Sequence, residues 1–246
     1  MITYVKKIEI YLPQFFHLAV QMTSFLLSDI QRRLDSLPGS YRFLYTTPES
    51  LNANYYFVGL NPGGAVDDRS DLYVPVGNAF LNERWSSNGT DYNTLQKQVL
   101  WFFKHLAAVV GLEDWGTFMS TQWLISNYVF YRSGRWTEMA KKTDHIALSK
   151  GIWKDLFSRS IPKVIVCNGY DVYKHMMELL KGFGWVILSE SKSPSSWYGP
   201  HIGTMGKDGA QCLLVGFAHL STYKIMGREK NKECLNTLFN RLKAAM

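Results

Sequence analysis

Three polar side chains, Asn61, Asn127 and His219, each follow an apolar run that reads as a buried strand. The first run, Tyr55-Tyr56-Phe57-Val58-Gly59-Leu60, breaks at Asn61-Pro62-Gly63-Gly64. Proline stops the ladder and glycine lets backbone approach a ligand closely, at the strand mouth where open α/β sheets bind ligands. The Asn61 amide both donates and accepts, so it can hold a water molecule or read a polar edge; it cannot take up a proton at neutral pH. The second run, Trp123-Leu124-Ile125-Ser126, ends in Asn127, and the third, Gln211 to Ala218, ends in His219 and a small polar turn. A neutral imidazole at a strand end can donate a hydrogen bond to negative charge as it develops. In the loop after Asn61, Asp68 is a secondary candidate for a general base or a stabiliser of positive charge. Plainer readings stay open for each: an ordinary strand-to-loop turn, a capping amide, a hydrogen-bonded core histidine, and solvent-exposed turn carboxylates at Asp67 and Asp68.

The elements that must position these groups alternate between strand and helix. An amphipathic helix over 14–36, with Phe15, Leu18, Met22, Phe25, Leu26 and Ile30 on one stripe, ends at Ser36-Leu37-Pro38-Gly39. It reads as an N-terminal packing helix within residues 1–40. Residues 40–54 read as loop with a short entry segment, and 71–93 as irregular. Helices are expected near 94–110, started by Asp91 or Thr94 and ended by Gly111, and near 143–158, 171–181 and 228–244. Strands are expected at 55–60, 121–127, 163–167, 185–189 and 211–218. This alternation predicts an α/β fold, a three-layer α/β/α sandwich with a central, mostly parallel sheet, as one domain over 1–246.

The chain has 246 residues, 46% of them hydrophobic and 15% aromatic, enough for a sizeable core. No run of eighteen apolar residues occurs and the N-terminus lacks a signal-peptide pattern, so a cytoplasmic protein without a membrane partner is expected, or a nuclear one in a eukaryote. Cys167, Cys212 and Cys234 are scattered and read as buried thiols. They are too few for a four-cysteine iron–sulfur cluster, and no zinc-ligand spacing is present, so neither metal nor cofactor is expected. No Gly-x-Gly-x-x-Gly or Lys-Ser/Thr pattern follows a strand, which argues against a nucleotide-binding enzyme. The formal net charge is +7. Basic residues recur at Arg132 and Arg135, Lys141 and Lys142, Lys192, then Lys224, Arg228, Lys230 and Lys232, a spacing that could track a phosphate backbone.

Gly59-Leu60-Asn61-Pro62-Gly63 early, with strand-His219-x-Ser221 late, resembles the uracil-DNA glycosylase superfamily. With Asn in the early motif and His in the late one, the chain resembles the single-strand-selective monofunctional branch of that superfamily. The segment Tyr73-Val74-Pro75-Val76-Gly77-Asn78 resembles that branch's stretch after the turn, and Asn127 stands where the family keeps its pyrimidine-reading amide. The resemblance covers about residues 50 to 240. It implies the glycosylase fold, DNA as partner, a monomer, and hydrolysis of the N-glycosidic bond of a flipped pyrimidine. His219 would then stabilise the departing base at O2 and Asn61 would position water. Gly59, Pro62, Gly63, Val76, Phe80 and Asn127 would surround the base. Ser193 and Ser195 would pinch the DNA backbone. Ser221, Tyr223, Lys224 and Arg228 after His219, with Arg132, would contact DNA, and Tyr223, Ile225 or Met226 would fill the vacated stack. No lysine sits in a recognisable Schiff-base motif, so the expected product is an intact abasic site.

The chain departs from that pattern at Val76, where the branch carries an aromatic ring, and at Leu220, where the family usually has proline. Losing a stacked ring removes about 1–3 kcal/mol and would widen the pocket, unless Tyr73 or Phe80 restores the contact. A wider pocket on the C5 side would admit a bulky 5-modified cytosine. The chain is in that respect similar to certain prokaryotic antiviral glycosylases that remove glucosylated 5-hydroxymethylcytosine from phage DNA. Repair of uracil or oxidised pyrimidines, and a non-catalytic DNA-binding role, are the alternatives.

Overall fold

Aromatic and β-branched runs become the strands they predict, and the sheet they form delivers the candidate residues to one edge. The computed structural model describes residues 21–65, 67–192 and 199–246. The chain falls into two compact units, Met1–Pro38 and Gly39–Met246. In the first, residues 21–34 are helical (α1), and the helix ends just before the Ser-Leu-Pro-Gly cluster, as expected. Phe15 and Leu18 of the expected stripe lie outside the described residues.

In the second unit the order is β1 (Tyr55–Gly59), α2 (Ala79–Asn82), α3 (Thr94–Val110), α4 (Trp115–Thr121), β2 (Trp123–Asn127), α5 (Lys142–Arg159), β3 (Val164–Asn168), α6 (Tyr170–Gly182), β4 (Val186–Lys192), β5 (His201–Lys207), β6 (Ala210–Phe217), α7 (Leu220–Tyr223) and α8 (Lys232–Ala245). One six-stranded sheet runs β2-β1-β3-β6-β5-β4. β1 pairs in parallel with β2 and β3, and β3 in parallel with β6. β5 is antiparallel to both β6 and β4. The carboxyl ends of β2, β1, β3 and β6 therefore share one edge, and the register sets Gly59 beside Asn127 and Asn168 beside Phe217.

Successive side chains of a strand point to opposite faces. On β1, Phe57 meets Phe102 and Phe103 of α3, whereas Tyr56 meets Trp153 and Phe157 of α5. Leu235, Leu238 and Phe239 of α8 join the α3 side of the core. The fold is thus α/β, with a mostly parallel sheet carrying helices on both faces. Helix α3 opens on a reciprocal cap between Asn93 and Gln96, and Gly111 closes it at φ 81°. The capping residue is Asn93, between the expected Asp91 and Thr94.

The structure adds elements the sequence pattern did not announce. Strand β5 was not expected, because Gly203 and Gly206 interrupt its apolar pattern. A Cβ on Gly203 would come within 2.8 Å of the Tyr173 hydroxyl, and one on Gly206 within 2.5 Å of Leu188, so both glycines leave room for side chains of neighbouring elements. Residues 115–121 form α4, which delays β2 to Trp123. Residues 41–46 are an extended stretch bridged to Tyr131, Asp71, Ser126 and Asn78 in turn. Ser126 Oγ donates to the Phe43 carbonyl, and Tyr45 N–H donates to Ile125 O at 2.8 Å. That stretch, read from sequence as loop, becomes a wall of the site. Among the described residues no helix is long and apolar enough to cross a membrane.

Candidate functional site

A cavity of about 480 Å³ opens at the carboxyl ends of the parallel strands. Asn61, Asn127 and His219 all line it. So do Gly59, Gly63, Asp68 and Phe80 among the expected residues. The loop after β2 runs beside the end of β1, through hydrogen bonds from Tyr128 N–H to Gly59 O at 2.7 Å and from Val129 N–H to Leu60 O at 2.9 Å. This pairing carries the strand register past the sheet edge and keeps Asn61 and Asn127 in one wall.

The Asn61 amide nitrogen donates to Pro62 O at 2.9 Å and to Ser133 O at 3.2 Å. Both amide hydrogens are committed, and Oδ1 remains as an acceptor with no donor among the described residues. Pro62 is buried and holds the turn through its carbonyl, which also accepts from Ser133 N–H. Asp68 accepts from Ala65 N–H at 2.9 Å, so it caps its own turn at the exposed rim of the cavity.

Asn127 is 5% exposed, and its Nδ2 donates to the Tyr45 hydroxyl at 2.9 Å. A Cβ on Gly59 would collide with Asn127 Oδ1. Glycine before the turn therefore leaves room for the amide of the neighbouring strand. Gly59→Ala is expected to turn Asn127 away from Tyr45 and to destabilise the fold by about 1–3 kcal/mol; denaturant unfolding measures this, and unchanged stability would contradict it.

His219 precedes the short helix α7. Its Nδ1 lies 2.7 Å from Ser221 Oγ, which leaves Nε2 for a ligand. Burial lowers its pKa below the ordinary 6.5, so the ring is neutral at pH 7. Asn168, at the end of β3, accepts the Leu220 N–H on Oδ1 at 2.9 Å and lines the same cavity. It fixes the turn that presents His219. The sequence held a usable signal for Asn168: Val164 to Cys167 is an apolar run ending in asparagine, like the run ending in Asn127.

A further group of cavity residues was missed. Arg42, only 7% exposed, pairs with Asp71 at 2.8 Å and with Glu83 at 2.7 Å. Arg132 bonds Asp71 at 3.1 Å and Gly63 O at 3.0 Å. Trp85 Nε1 donates to Glu83 at 2.7 Å. Burial works against the Arg42 charge, but its hydrogen bonds to Glu83 and Asp71 and the nearby Tyr45 ring outweigh that and raise its pKa. Burial also raises the pKa of the Tyr45 phenol. Tyr45, Phe80 and Trp85 pack against one another tilted or edge to face, with ring centroids 4.8–5.7 Å apart.

Several expected residues lie elsewhere. Val76 is 73% exposed and does not line the cavity, so replacing an aromatic ring there does not widen it. Phe80 supplies the ring instead. Arg132 is a largely buried clamp on the 61–71 turn, not a surface contact for phosphate. Ile225 and Met226 are buried in the core, and Met226 is tied to Gln98 through its backbone. Of the three side chains proposed to fill a vacated stack, Tyr223 alone is exposed. Lys224 and Arg228 are exposed beside it. Ser221 is engaged with His219, and Ser193 and Ser195 lie outside the described residues. Neither a protein-family model nor a curated protein sequence matches the chain.

Proposed function

We propose that this protein is a monofunctional DNA glycosylase of the uracil-DNA glycosylase type, hydrolysing the N-glycosidic bond of a flipped pyrimidine. One observation carries the reading: Asn61, Asn127 and His219, from three separate chain segments, line one cavity at the strand ends. Flipping is needed because the sugar carbon is out of reach inside a duplex, and it costs a few kcal/mol. In the reaction the bond between C1′ and the base nitrogen breaks and its electron pair leaves with the base. In the tautomer in which Ser221 donates to His219 Nδ1, Nε2 carries the proton and donates to the pyrimidine O2 as charge gathers there. Asn61 Oδ1 accepts from a water molecule whose oxygen bonds to C1′, and the released proton passes to solvent or base. Asn127 reads the edge of the base through Oδ1, its nitrogen being held by Tyr45.

The cavity supports a substrate larger than plain uracil. Its volume of about 480 Å³ is well above the ~150 Å³ of an apolar cavity that admits a benzene-sized ring. A bulky 5-modified cytosine fits this room, and glucosylated 5-hydroxymethylcytosine of phage DNA, removed as antiviral defence, is the candidate. Exposed Tyr223, Lys224 and Arg228 beside His219 suit a DNA backbone and a vacated stack. We place the activity in a cytoplasmic monomer. Oligonucleotides carrying uracil, 5-hydroxymethylcytosine or its glucosylated form, incubated with the protein and then cleaved with alkali, test the reading. Strand breaks at the modified base after alkali, and none before, are the expected result. Absence of abasic product from every substrate overturns it, and borohydride trapping of a covalent complex overturns its monofunctional part.

A further inference from the structure

The cavity contains more chemistry than hydrolysis uses. Tyr45 touches Asn127 on one side, and the Arg42 guanidinium lies 5.3 Å from its ring centroid on the other. Asp71 and Glu83 bond Arg42, Arg132 shares Asp71, and Trp85 packs edge-on against Tyr45, all lining the same cavity. If His219 meets O2 and Asn127 the C4 end of the same polar edge, a substituent on C5, next to C4 and across the ring from C2, lies on the Asn127 side. Asn127 is tied through Tyr45 to this group.

The group has a definite ligand preference. Its two guanidinium groups and two carboxylates cancel in formal charge and are bonded to each other, and the two further charges on the cavity lining, Arg69 beside Asp71 and Asp68 at the rim, also cancel. A phosphate would face two carboxylates, and an amine would face two guanidinium groups. A neutral ligand with several hydroxyls suits both, since each hydroxyl donates to a carboxylate and accepts from a guanidinium. Glu83 accepts from Arg42 and from Trp85 on the same oxygen, Oε2, which leaves Oε1 for a ligand hydroxyl. Half-buried Trp85 adds an aromatic face suited to the C–H side of a sugar ring. We propose that Arg42, Asp71, Glu83 and Trp85 form a subsite for a neutral polyhydroxylated group, a hexosyl unit, carried on C5 of the pyrimidine. The subsite rests on the glycosylase reading above.

The test compares single-turnover excision of glucosylated 5-hydroxymethylcytosine and of 5-hydroxymethylcytosine from otherwise identical duplexes. The wild type should favour the glucosylated base, and Glu83→Gln should lower the ratio of the two rates roughly tenfold or more. Because both rates come from one preparation, a partly unfolded variant leaves the ratio readable. Trp85→Phe, which keeps a ring and loses the indole N–H, provides another variant and should lower the ratio too. Excision of both bases with a ratio that neither variant changes overturns the subsite and leaves the glycosylase intact. A wild type that removes uracil or 5-hydroxymethylcytosine but never the glucosylated base does the same. No abasic product from any duplex overturns the glycosylase reading and the subsite together.

Discussion

His219→Ala should lower the excision rate by about 10²–10³-fold, the effect of removing one preorganised donor aimed at developing negative charge. The loss should fall on the chemical step, with affinity for DNA little changed, because the hydrogen bond strengthens only as the base leaves. His219 is held in place from two sides. Ser221 engages Nδ1, and Asn168 anchors the following turn. Burial lowers the ring's pKa below 6.5, so by about one pH unit above that the ring is neutral, and the rate should be flat there apart from other groups. His219→Ala should shift the profile down without changing its shape in that range. A break near neutrality that vanishes in the variant would show a charged imidazole at work and contradict the neutral-donor role. The sign for stability follows from the same shift. The unfolded chain takes up the proton more readily than the folded one, so His219 costs stability as pH falls from about 6.5 toward its folded pKa.

Asn61→Ala should lower the rate by about 10²-fold, the scale set by losing the position of a reacting partner. Single-turnover excision with saturating protein measures it, and a wild-type rate would remove Asn61 from the mechanism. Asn61→Asp distinguishes orientation from proton abstraction. A carboxylate could in principle take a proton from water, so a more active variant would indicate general-base catalysis. The geometry predicts the opposite. The nitrogen of Asn61 faces the carbonyl oxygens of Pro62 and Ser133, and a carboxylate would set oxygen against oxygen at both. Asn61→Asp should therefore do no better than Asn61→Ala, through loss of turn geometry.

The strands that deliver Asn61, Asn127 and His219 were legible because each is an unbroken apolar run, and such runs, buried on both faces, belong to parallel sheets. The cavity wall from 41 to 46 was not legible. Its side chains follow no helical or strand period over a useful length, and Arg42 has the composition signature of a surface residue. Its burial depends on Asp71 and Glu83, which lie 29 and 41 residues away in sequence. Pairing across that distance leaves no local trace. Strand β5 was hidden for a related reason: its glycines answer to Tyr173 and Leu188, on other elements. The misassignment of Ile225 and Met226 has the opposite origin. Apolar residues in a loop suggested insertion into a partner, whereas the core of the same chain had already claimed them.

The anchoring of Met226 has a further consequence. The four residues after His219 form one helical turn closed by Lys224 in the left-handed region, at φ 48°. Two residues on, Met226 is locked to Gln98 of α3, its N–H donating at 2.8 Å. Tyr223 therefore stands on a strut fixed at both ends. The backbone beneath it is ordered when the chain folds, so on the glycosylase reading a contact with DNA here would cost little backbone entropy.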